Sequence, residues 1–227
     1  WIMLHSGSRN IGFKVASYYN KLAKELNEKM ENPIPKSWQL NYLPLNDDTG
    51  QNYMAEMQYC IDFAFANRKL MMDRIINAFD SVIKRGFEPE PMINIAHNYA
   101  SIEKHFGEEV VVHRKGATQA NKGQTGIIPG SQGTKSYIVK GKGNEDSFNS
   151  CSHGAGRLMG RKQAQRSLDL EKEIEFLSKK KIIHSIRNKK DLDEAPSAYK
   201  NITQVMREQT DLVEIMVELT PLAVIKG

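Results

Sequence analysis

The sequence predicts a protein of mixed helices and strands, because two hydrophobic periodicities occupy different parts of the chain. Apolar residues recur at helical spacing over about 13–30 and again over about 51–85. Short apolar or alternating runs typical of strands lie at 1–4, 92–96, 110–112 and 211–219. The chain has 227 residues, which is enough to bury one large core or two small ones.

The composition is that of a soluble globular chain with a basic surplus. Its net charge is +5 and its pI about 9.0, which favours an acidic partner such as nucleic acid. Cys60 and Cys151 lie far apart without Cys-x-x-Cys spacing, so we expect no disulfide framework, no cysteine zinc site and a reducing, cytoplasmic location. No apolar run reaches the roughly 18 residues that span a bilayer, and no secretory signal stands at the start. Because the chain starts at Trp1, we expect it to be a piece of a longer protein.

The two helical segments are expected to form core rather than a site. Methionines and aromatic residues recur at helical spacing in the second segment, which is typical of packing, and Cys60 belongs to the same stripe. Gly86 predicts where that helix ends, and a proline-containing loop at 32–50 joins the two helices. Asn67 and Arg68 are the exception, because an arginine among apolar neighbours needs a partner such as a phosphate or a carboxylate.

Two histidines follow predicted strands. His5 comes after the run 1–4 and precedes small residues and Arg9, and His97 comes after the run 92–96. The two imidazoles would converge if their strands were neighbours and, with an oxygen or sulfur ligand, would hold a transition metal. A histidine packed at a strand end is an equally good explanation of each.

A basic, glycine-rich region follows. From His113 to Gly143 there are six lysines and arginines, seven glycines and no acidic residue, which indicates a phosphate-binding surface rather than a salt-bridged face. Within it, the segment 129–136 offers backbone amides and three hydroxyls. It has the composition of a nucleotide-binding loop, although it lacks the Gly-Lys-Ser/Thr ending of a P-loop.

The segment 150–161 sets one imidazole, that of His153, against a glycine-rich turn. Gly154 and Gly156 let the backbone approach a phosphate, and we expect them to begin a helix that carries Arg157, Arg161 and Lys162. A neutral imidazole beside a bound phosphate can attack the phosphorus and form a phosphoramidate, or it can act as a general base. The alternative is that His153 is an ordinary polar residue of a loop, without a catalytic role.

The last third indicates structure more than chemistry. Segment 170–183 is charged and amphipathic, and a helix is predicted to begin within 193–200 after a proline-containing turn. Lys226 follows an apolar pair and would either extend along the surface or reach back into a site. His105 and His184 have polar neighbours, which predicts surface positions.

Seven blocks of the sequence stand out when they are taken together. The blocks are His-Ser-Gly-Ser-Arg at 5–9, Ala-His-Asn-Tyr-Ala at 96–100, His-Arg-Lys-Gly-Ala-Thr at 113–118, Pro-Gly-Ser-Gln-Gly-Thr-Lys-Ser-Tyr at 129–137, Ser-His-Gly-Ala-Gly-Arg at 152–157, Ala-Pro-Ser-Ala-Tyr-Lys at 195–200 and Val-Ile-Lys-Gly at 224–227. They resemble the successive motifs of the RtcB family, the RNA-splicing ligases. The resemblance covers essentially all of 1–227, which would be part of the catalytic domain, and it implies an α+β architecture with strands around a central metal and nucleotide cleft.

The resemblance implies an enzyme that joins an RNA 3′-phosphate or 2′,3′-cyclic phosphate to a 5′-hydroxyl, using GTP and manganese. His153 would take GMP from GTP as a covalent adduct and pass it to the RNA, and His5 and His97 would ligate one Mn²⁺ ion. The RNA would be tRNA halves or broken RNA, with an activating protein as a further candidate partner and no membrane. The residues implied to bind the nucleotide are Asn98, Ser131, Ser136, Ala155, Gly156, Arg157, Tyr199 and Lys226, and those implied to contact phosphate or RNA are Arg9, Arg114 and Lys115.

The sequence departs from the family pattern in its metal ligands. The family's Asp and Cys ligands and its Gly-Asn-His-Phe segment are absent here and are expected to precede Trp1, so the chain would hold only part of a two-ion site. Gln119, Gln132 and Gly160 stand where Arg, Met and Ser are usual. Two alternatives therefore stay open: a non-catalytic RNA-binding remnant, and a metal-dependent phosphoesterase that forms no nucleotide adduct.

Overall fold

The computed structural model describes residues 1–83 and 91–226, and the chain forms two compact units, 1–94 and 95–227. The first unit is built on two helices, α1 (Ile11–Glu28) and α2 (Asp48–Ile83), with a short 3-10 helix at Lys36–Trp38. Both predicted helices are therefore confirmed. The predicted end of the second helix at Gly86 lies outside the described residues.

The two helices of the first unit meet through a tyrosine. Tyr19 of α1 is 4% exposed, donates a hydrogen bond from its hydroxyl to Glu56 Oε1 of α2 (2.9 Å), and packs its ring against Tyr53. Burial, aided by the Glu56 carboxylate, raises the pKa of Tyr19 to about 12. Cys60 is buried in α2 with a free thiol. Of the described residues of α2, Gly50 and Cys60 are buried, whereas Tyr59 and Phe63 are 61% and 41% exposed. The packing role predicted for the stripe of the second helix is therefore confirmed only in part.

The strand predicted at 1–4 is wrong. That segment pairs with no strand among the described residues, and Trp1 and Met3 are 71% and 43% exposed. An apolar run shows that burial is favourable, but a strand also needs a neighbouring backbone to complete its hydrogen bonds.

The second unit contains all the strands of the described chain. Four antiparallel pairings build it, β1 with β2, β3 with β6, β4 with β5, and β5 with β8, and one short parallel pairing joins β7 to β9. The strands are β1 (Asn98–His105), β2 (Glu108–Lys115), β3 (Ala117–Gln119), β4 (Thr125–Ile128), β5 (Ser136–Gly141), β6 (Ser150–Ser152), β7 (Ile183–His184), β8 (Val213–Leu219) and β9 (Ala223–Val224).

Three α-helices accompany these strands: α3 (Arg161–Ser167), α4 (Leu170–Lys179) and α5 (Ile202–Arg207). Short 3-10 helices lie at Glu145–Ser147, Lys189–Glu194 and Pro196–Ala198. The mixture confirms the α+β class. The strands predicted at 110–112 and 211–219 are confirmed within β2 and β8, whereas the one predicted at 92–96 is wrong, since β1 starts only at Asn98.

Two apolar clusters hold the second unit together. In the first, Ile128, Val139 and Cys151 of β4, β5 and β6 pack against α5 and the start of β8. In the second, Leu177 of α4 packs against Leu192 and its neighbours. The first cluster anchors both ends of the loop 129–135 and the start of the segment after β6, so the two most distinctive motifs rise from fixed strand ends. In the described part of the chain, no helix is long and apolar enough to cross a bilayer.

Candidate functional site

His153 lies where two strand pairs meet. It directly follows β6, whose Ser152 pairs with Ala117 of β3, and its backbone N–H donates to the carbonyl of Gly116 (3.4 Å). A Cβ on Gly116 would lie 3.7 Å from Cε1 and Nδ1 of His153, so the imidazole packs directly against this glycine. The ring therefore has a defined position at the end of a strand rather than in a free loop.

A second imidazole lies beside it. His97 immediately precedes β1, and its ring centroid is 5.0 Å from that of His153, with the planes inclined by 36°. At the same end of the hairpin, Asn98 pairs in register with Lys115, and both residues are exposed. The structure thus gathers four of the predicted site residues, His97, Asn98, Lys115 and His153, at one end of the β1–β2 hairpin.

His5 and Arg9 belong to the first unit, where α2 holds the segment between them. Arg68 Nη1 donates to the carbonyl of Ser6 (3.0 Å), and Asn67 Nδ2 donates to Ser6 Oγ and to the carbonyl of Gly7 (both 3.1 Å). Arg68 Nε donates to Asn94 Oδ1 (2.6 Å). The Asn67–Arg68 pair therefore organises the loop that carries His5 and Arg9, and both of those side chains are exposed.

The described residues do not assemble a complete metal site. His97 and His153 form a pair, but no group of three His, Cys, Asp or Glu residues within 1–83 and 91–226 lies close enough together to hold an ion. Two imidazoles alone do not complete the ligand shell of a transition metal. A metal ion at this position would need ligands beyond those that the described chain brings together.

The turn after His153 packs on Pro129. The amide of Ala155 donates to the carbonyl of Pro129 (2.9 Å), and a Cβ on Gly154 would lie 3.0 Å from the same oxygen. The amide of Gly154 donates to Ser152 Oγ (3.3 Å). A side chain at Gly154 would therefore press on the Pro129 backbone, and the Gly154 amide is used within the turn.

The helix predicted to begin at the turn starts later. Its first residue is Arg161, whereas Arg157 forms an isolated antiparallel bridge with Tyr199, and the amide of Lys200 donates to the carbonyl of Gly156 (3.0 Å). This long-range pairing holds Arg157 in a bridge, and Gly156 has a positive φ of 72°, so neither residue is helical. The amides of Gly154 and Gly156 therefore do not begin the helix, and its dipole does not start at this turn.

The loop 129–136 is preformed by its own hydroxyls. Ser136 Oγ accepts from the amide of Gly130 (3.1 Å), and Thr134 Oγ1 accepts from the amide of Ser131 (2.7 Å) and lies 3.0 Å from Ser131 Oγ. Ser131 and Ser136 thus fix the shape of the loop. A ligand would meet a rigid surface rather than order a flexible one.

Arg157, Tyr199 and Lys226 converge on an acidic pair. Arg157 Nη1 donates to Glu194 Oε2 (3.0 Å) and lies 3.1 Å from the Tyr199 hydroxyl, while its guanidinium stacks 4.9 Å from the centre of the Tyr199 ring. Lys226 Nζ pairs with the carboxylate of Asp193. Sequence reasoning missed Asp193 and Glu194, although their position just before Ala-Pro-Ser-Ala-Tyr was a usable signal.

Arg114 and Lys115 point in opposite directions from β2. Arg114 is 2% exposed and pairs with Glu103 (2.5 Å), and it also donates to Ser150 Oγ (3.0 Å) and to the carbonyl of Phe148 (2.9 Å). The hydrogen bond from Arg114 is the main cause that lowers the pKa of Glu103 to about 2. Lys115 is exposed, so a phosphate contact from this strand rests on Lys115, and Arg114 ties β2 to β6 from the interior.

His105 corrects a further expectation. It is 5% exposed rather than on the surface, and its Nε2 lies 2.9 Å from Glu103 Oε2. The polar side chains of β1 satisfy one another inside the unit, so polarity in the sequence did not indicate exposure.

Comparison with known proteins agrees with the motifs. The family model described as "tRNA-splicing ligase RtcB" matches residues 1–227. The chain is 42% identical over 233 residues to the RNA-splicing ligase RtcB of Escherichia coli K12, covering all of this chain and 56% of that protein. It is 34% identical to the tRNA-splicing ligase RtcB of Thermococcus kodakarensis and 36% identical to the RNA-splicing ligase RtcB homolog 1 of Entamoeba dispar, covering 52% and 46% of those proteins.

The match extends over the whole chain, and the chain spans about half the length of the curated relatives that it matches. The paired histidines His97 and His153, the loop 129–136 and the Arg157–Tyr199 pair lie in the blocks that carry the resemblance. The chain belongs to the RtcB family.

Proposed function

We propose that this chain supplies the nucleotide-binding part of an RNA ligase that joins a 3′-phosphate or 2′,3′-cyclic phosphate end to a 5′-hydroxyl end. The carrying observation is the position of His153, fixed at a strand end beside His97 and packed with its turn against the loop 129–136. Membership of a family whose relatives are named RNA-splicing ligases supports the same reaction class.

The proposed chemistry begins at the imidazole of His153. An unprotonated ring nitrogen attacks the α-phosphorus of GTP, a phosphorus–nitrogen bond forms, the bond from the α-phosphorus to the bridging oxygen breaks, and pyrophosphate leaves. A 2′,3′-cyclic end is first opened by water, which breaks the bond from phosphorus to the 2′-oxygen and leaves a 3′-phosphate. The guanylyl group then passes from the histidine to the RNA 3′-phosphate. The 5′-hydroxyl of the second RNA end attacks that activated phosphate, and GMP leaves as the phosphodiester forms.

Two sets of neighbours would surround the nucleotide. Ser131 and Ser136 shape the loop beneath it, and Ala155, Gly156, Arg157, Tyr199 and Lys226 lie on the segments that converge on that loop. Asn98 and Lys115 are exposed at the end of the hairpin next to His153, and they would meet phosphates of the nucleotide or the RNA. By the family resemblance, Arg9 would contribute a further phosphate contact.

We further propose Mn²⁺ as the metal, with His5 and His97 among its ligands. Bound there, it would neutralise charge on the phosphates as a Lewis acid. Because no group of three candidate ligands is found among the described residues, we assign the ion no individual step.

A ligation assay tests the proposal against its alternatives. The protein at its native length is incubated with an RNA bearing a 3′-phosphate, a second RNA bearing a 5′-hydroxyl, GTP and Mn²⁺. We expect a joined product that requires both GTP and Mn²⁺. Loss of the 3′-phosphate without joining would instead identify a phosphoesterase, and salt-sensitive RNA binding without either reaction would identify a non-catalytic remnant.

A further inference from the structure

An acidic pair lies at the centre of the proposed nucleotide site without a role in the proposed chemistry. Asp193 and Glu194 end the 3-10 helix Lys189–Glu194, and the residues on either side of the pair, Leu192 and Ala195, are both 0% exposed. The backbone of the pair is therefore anchored in the interior while its two carboxylates face the converging segments. We propose that Glu194 is a positioning residue that orients Arg157 and Tyr199 for nucleotide binding, an inference that rests on the function proposed above.

The carboxylate of Glu194 bonds three different side chains. Its Oε2 accepts from Arg157 Nη1 (3.0 Å) and from the Tyr199 hydroxyl, and its Oε1 accepts from Arg161 Nε (2.9 Å). The Glu194 side chain is 25% exposed and that of Arg157 is 24% exposed. At this partial burial the Arg157–Glu194 pair is less screened than a surface ion pair, so one carboxylate fixes both the guanidinium and the phenol.

The backbone around the pair ties in the other two segments of the site. The carbonyl of Glu194 accepts from Gln132 Nε2 of the loop 129–136 (3.0 Å). The carbonyl of Asp193 accepts from Arg157 Nη2, and the Asp193 carboxylate accepts from Lys226 Nζ. Two consecutive residues thus connect the loop, the turn after His153, the tyrosine and the terminal lysine.

Glu194 has a different task from the residues that it holds. Its carboxylate accepts hydrogen bonds from two arginines and a tyrosine. Because the carboxylate is negatively charged, it would repel the phosphates of a nucleotide rather than bind them. Its effect on the reaction therefore passes through Arg157 and Tyr199. If the carboxylate is lost, both lose a shared acceptor, and each must reorganise before it meets the nucleotide.

The test combines three variants with two measurements on the protein at its native length. Glu194→Gln removes the charge, Glu194→Asp keeps it on a shorter side chain, and Glu175→Gln removes an exposed carboxylate that pairs with Lys179 on α4. Binding is measured by titration with a fluorescent GTP analogue, and transfer of label from α-labelled GTP is measured at saturating GTP. Thermal unfolding of each variant reports whether the fold is retained.

We expect Glu194→Gln to weaken GTP binding about tenfold and to leave the labelling rate at saturating GTP within about twofold of the wild type. Glu194→Asp restores part of the affinity, and Glu175→Gln matches the wild type. Unchanged or tighter binding by Glu194→Gln would overturn the inference, because the carboxylate would then be neutral or a competitor of the phosphates.

A double-mutant cycle covers the case in which Glu194→Gln lowers stability. Tyr199→Phe removes the hydroxyl and keeps the ring, so we expect its effect on GTP affinity and that of Glu194→Gln to be non-additive. Fully additive effects would contradict a role through Tyr199. A wild type that binds no GTP would refute the proposed function itself. If the wild type binds GTP and Glu194→Gln binds it with the same affinity, only the role of Glu194 is refuted.

Discussion

The imidazoles of His97 and His153 lie 5.0 Å apart, centre to centre, although 55 residues separate them in the chain. One precedes β1 and the other follows β6, so two separate strand pairs must form before the rings meet. The pair is therefore a product of the fold, and it places a candidate metal ligand beside a candidate nucleophile.

The role of His97 is tested by its effect on the manganese requirement. We predict that His97→Ala raises the Mn²⁺ concentration for half-maximal ligation at least about tenfold, because one ligand of the ion is lost. His184→Ala is the matched control. His184 lies on β7, and its Nδ1 accepts a hydrogen bond from the nearby amide of Ile186. An unchanged requirement in His97→Ala would remove His97 from the metal site.

The buried pair of Glu103 and Arg114 predicts a large effect on stability. Their side chains are 12% and 1% exposed, so Glu103→Gln leaves a buried guanidinium without its counter-charge. We predict a loss of about 3 kcal/mol in the free energy of unfolding, measured by urea denaturation. Glu109→Gln, on the exposed side of the same hairpin, changes it by about 0.5 kcal/mol or less.

The same pair predicts a pH dependence with a definite sign. Because the pKa of Glu103 is lowered to about 2 in the folded protein, its contribution is complete above the unfolded value of about 4.3 and is lost as the pH falls from there through about 2. The stability difference between the wild type and Glu103→Gln should therefore shrink over that interval. A difference that stays constant to about pH 2 would show that the charge of Glu103 is not what stabilises the hairpin.

Substitution of Gly130 tests whether the backbone of the loop 129–136 can accommodate a side chain. A Cβ at this position would lie 2.1 Å from the carbonyl oxygen of Lys135 and 2.5 Å from Thr134 Oγ1, so the loop backbone must move. We predict that Gly130→Ala costs about 1–3 kcal/mol of stability and abolishes binding of the fluorescent GTP analogue. Gly160→Ala is the control, because a Cβ there meets nothing within 4 Å. Equal behaviour of the two variants would mean that the loop adapts without cost.

Lys115 predicts an electrostatic contribution to RNA binding. It is exposed at the site end of the β1–β2 hairpin, whereas Lys104 is exposed near the opposite end of the same hairpin. The affinity for RNA falls as salt rises, and we predict that Lys115→Ala makes this dependence weaker. The magnitude of the slope of log affinity against log salt concentration should fall by about 0.7, the value for one phosphate contact on single-stranded RNA. Fluorescence anisotropy with a labelled RNA measures the slope. The same decrease in Lys104→Ala would show that the lysines act only through overall charge.

The helices α1 and α2 are predicted correctly because each carries many residues at helical spacing. Short apolar runs are a weaker guide, since those in β2 and β8 mark strands and those at 1–4 and 92–96 do not. By contrast, β1 was missed because its inward face carries Ser101, Glu103 and His105, whose polarity is neutralised by Arg114 from the neighbouring strand. Hydrophobicity alone cannot indicate burial of that kind.

Some residues of the candidate site are predicted from the sequence, and others are recognised only in the folded chain. The His153 segment, the loop 129–136 and His97 were identified from local composition and motifs. The extended backbone at Arg157 depends on a bridge to Tyr199, 42 residues away, and the roles of Asp193 and Glu194 depend on three segments that meet only in the folded chain. Pairings of this kind are set by tertiary structure, so no local pattern predicted them.

The most direct measurement is transfer of label from GTP to His153. The protein at its native length is incubated with GTP labelled at the α-phosphate and with Mn²⁺, and the wild type is compared with His153→Ala and with the control His184→Ala. We predict an acid-labile, alkali-stable label on the wild type and the control and none on His153→Ala, because a phosphorus–nitrogen bond forms only at His153. A wild type that stays unlabelled at saturating GTP and Mn²⁺, or a His153→Ala variant that labels equally, would contradict the histidine-adduct mechanism.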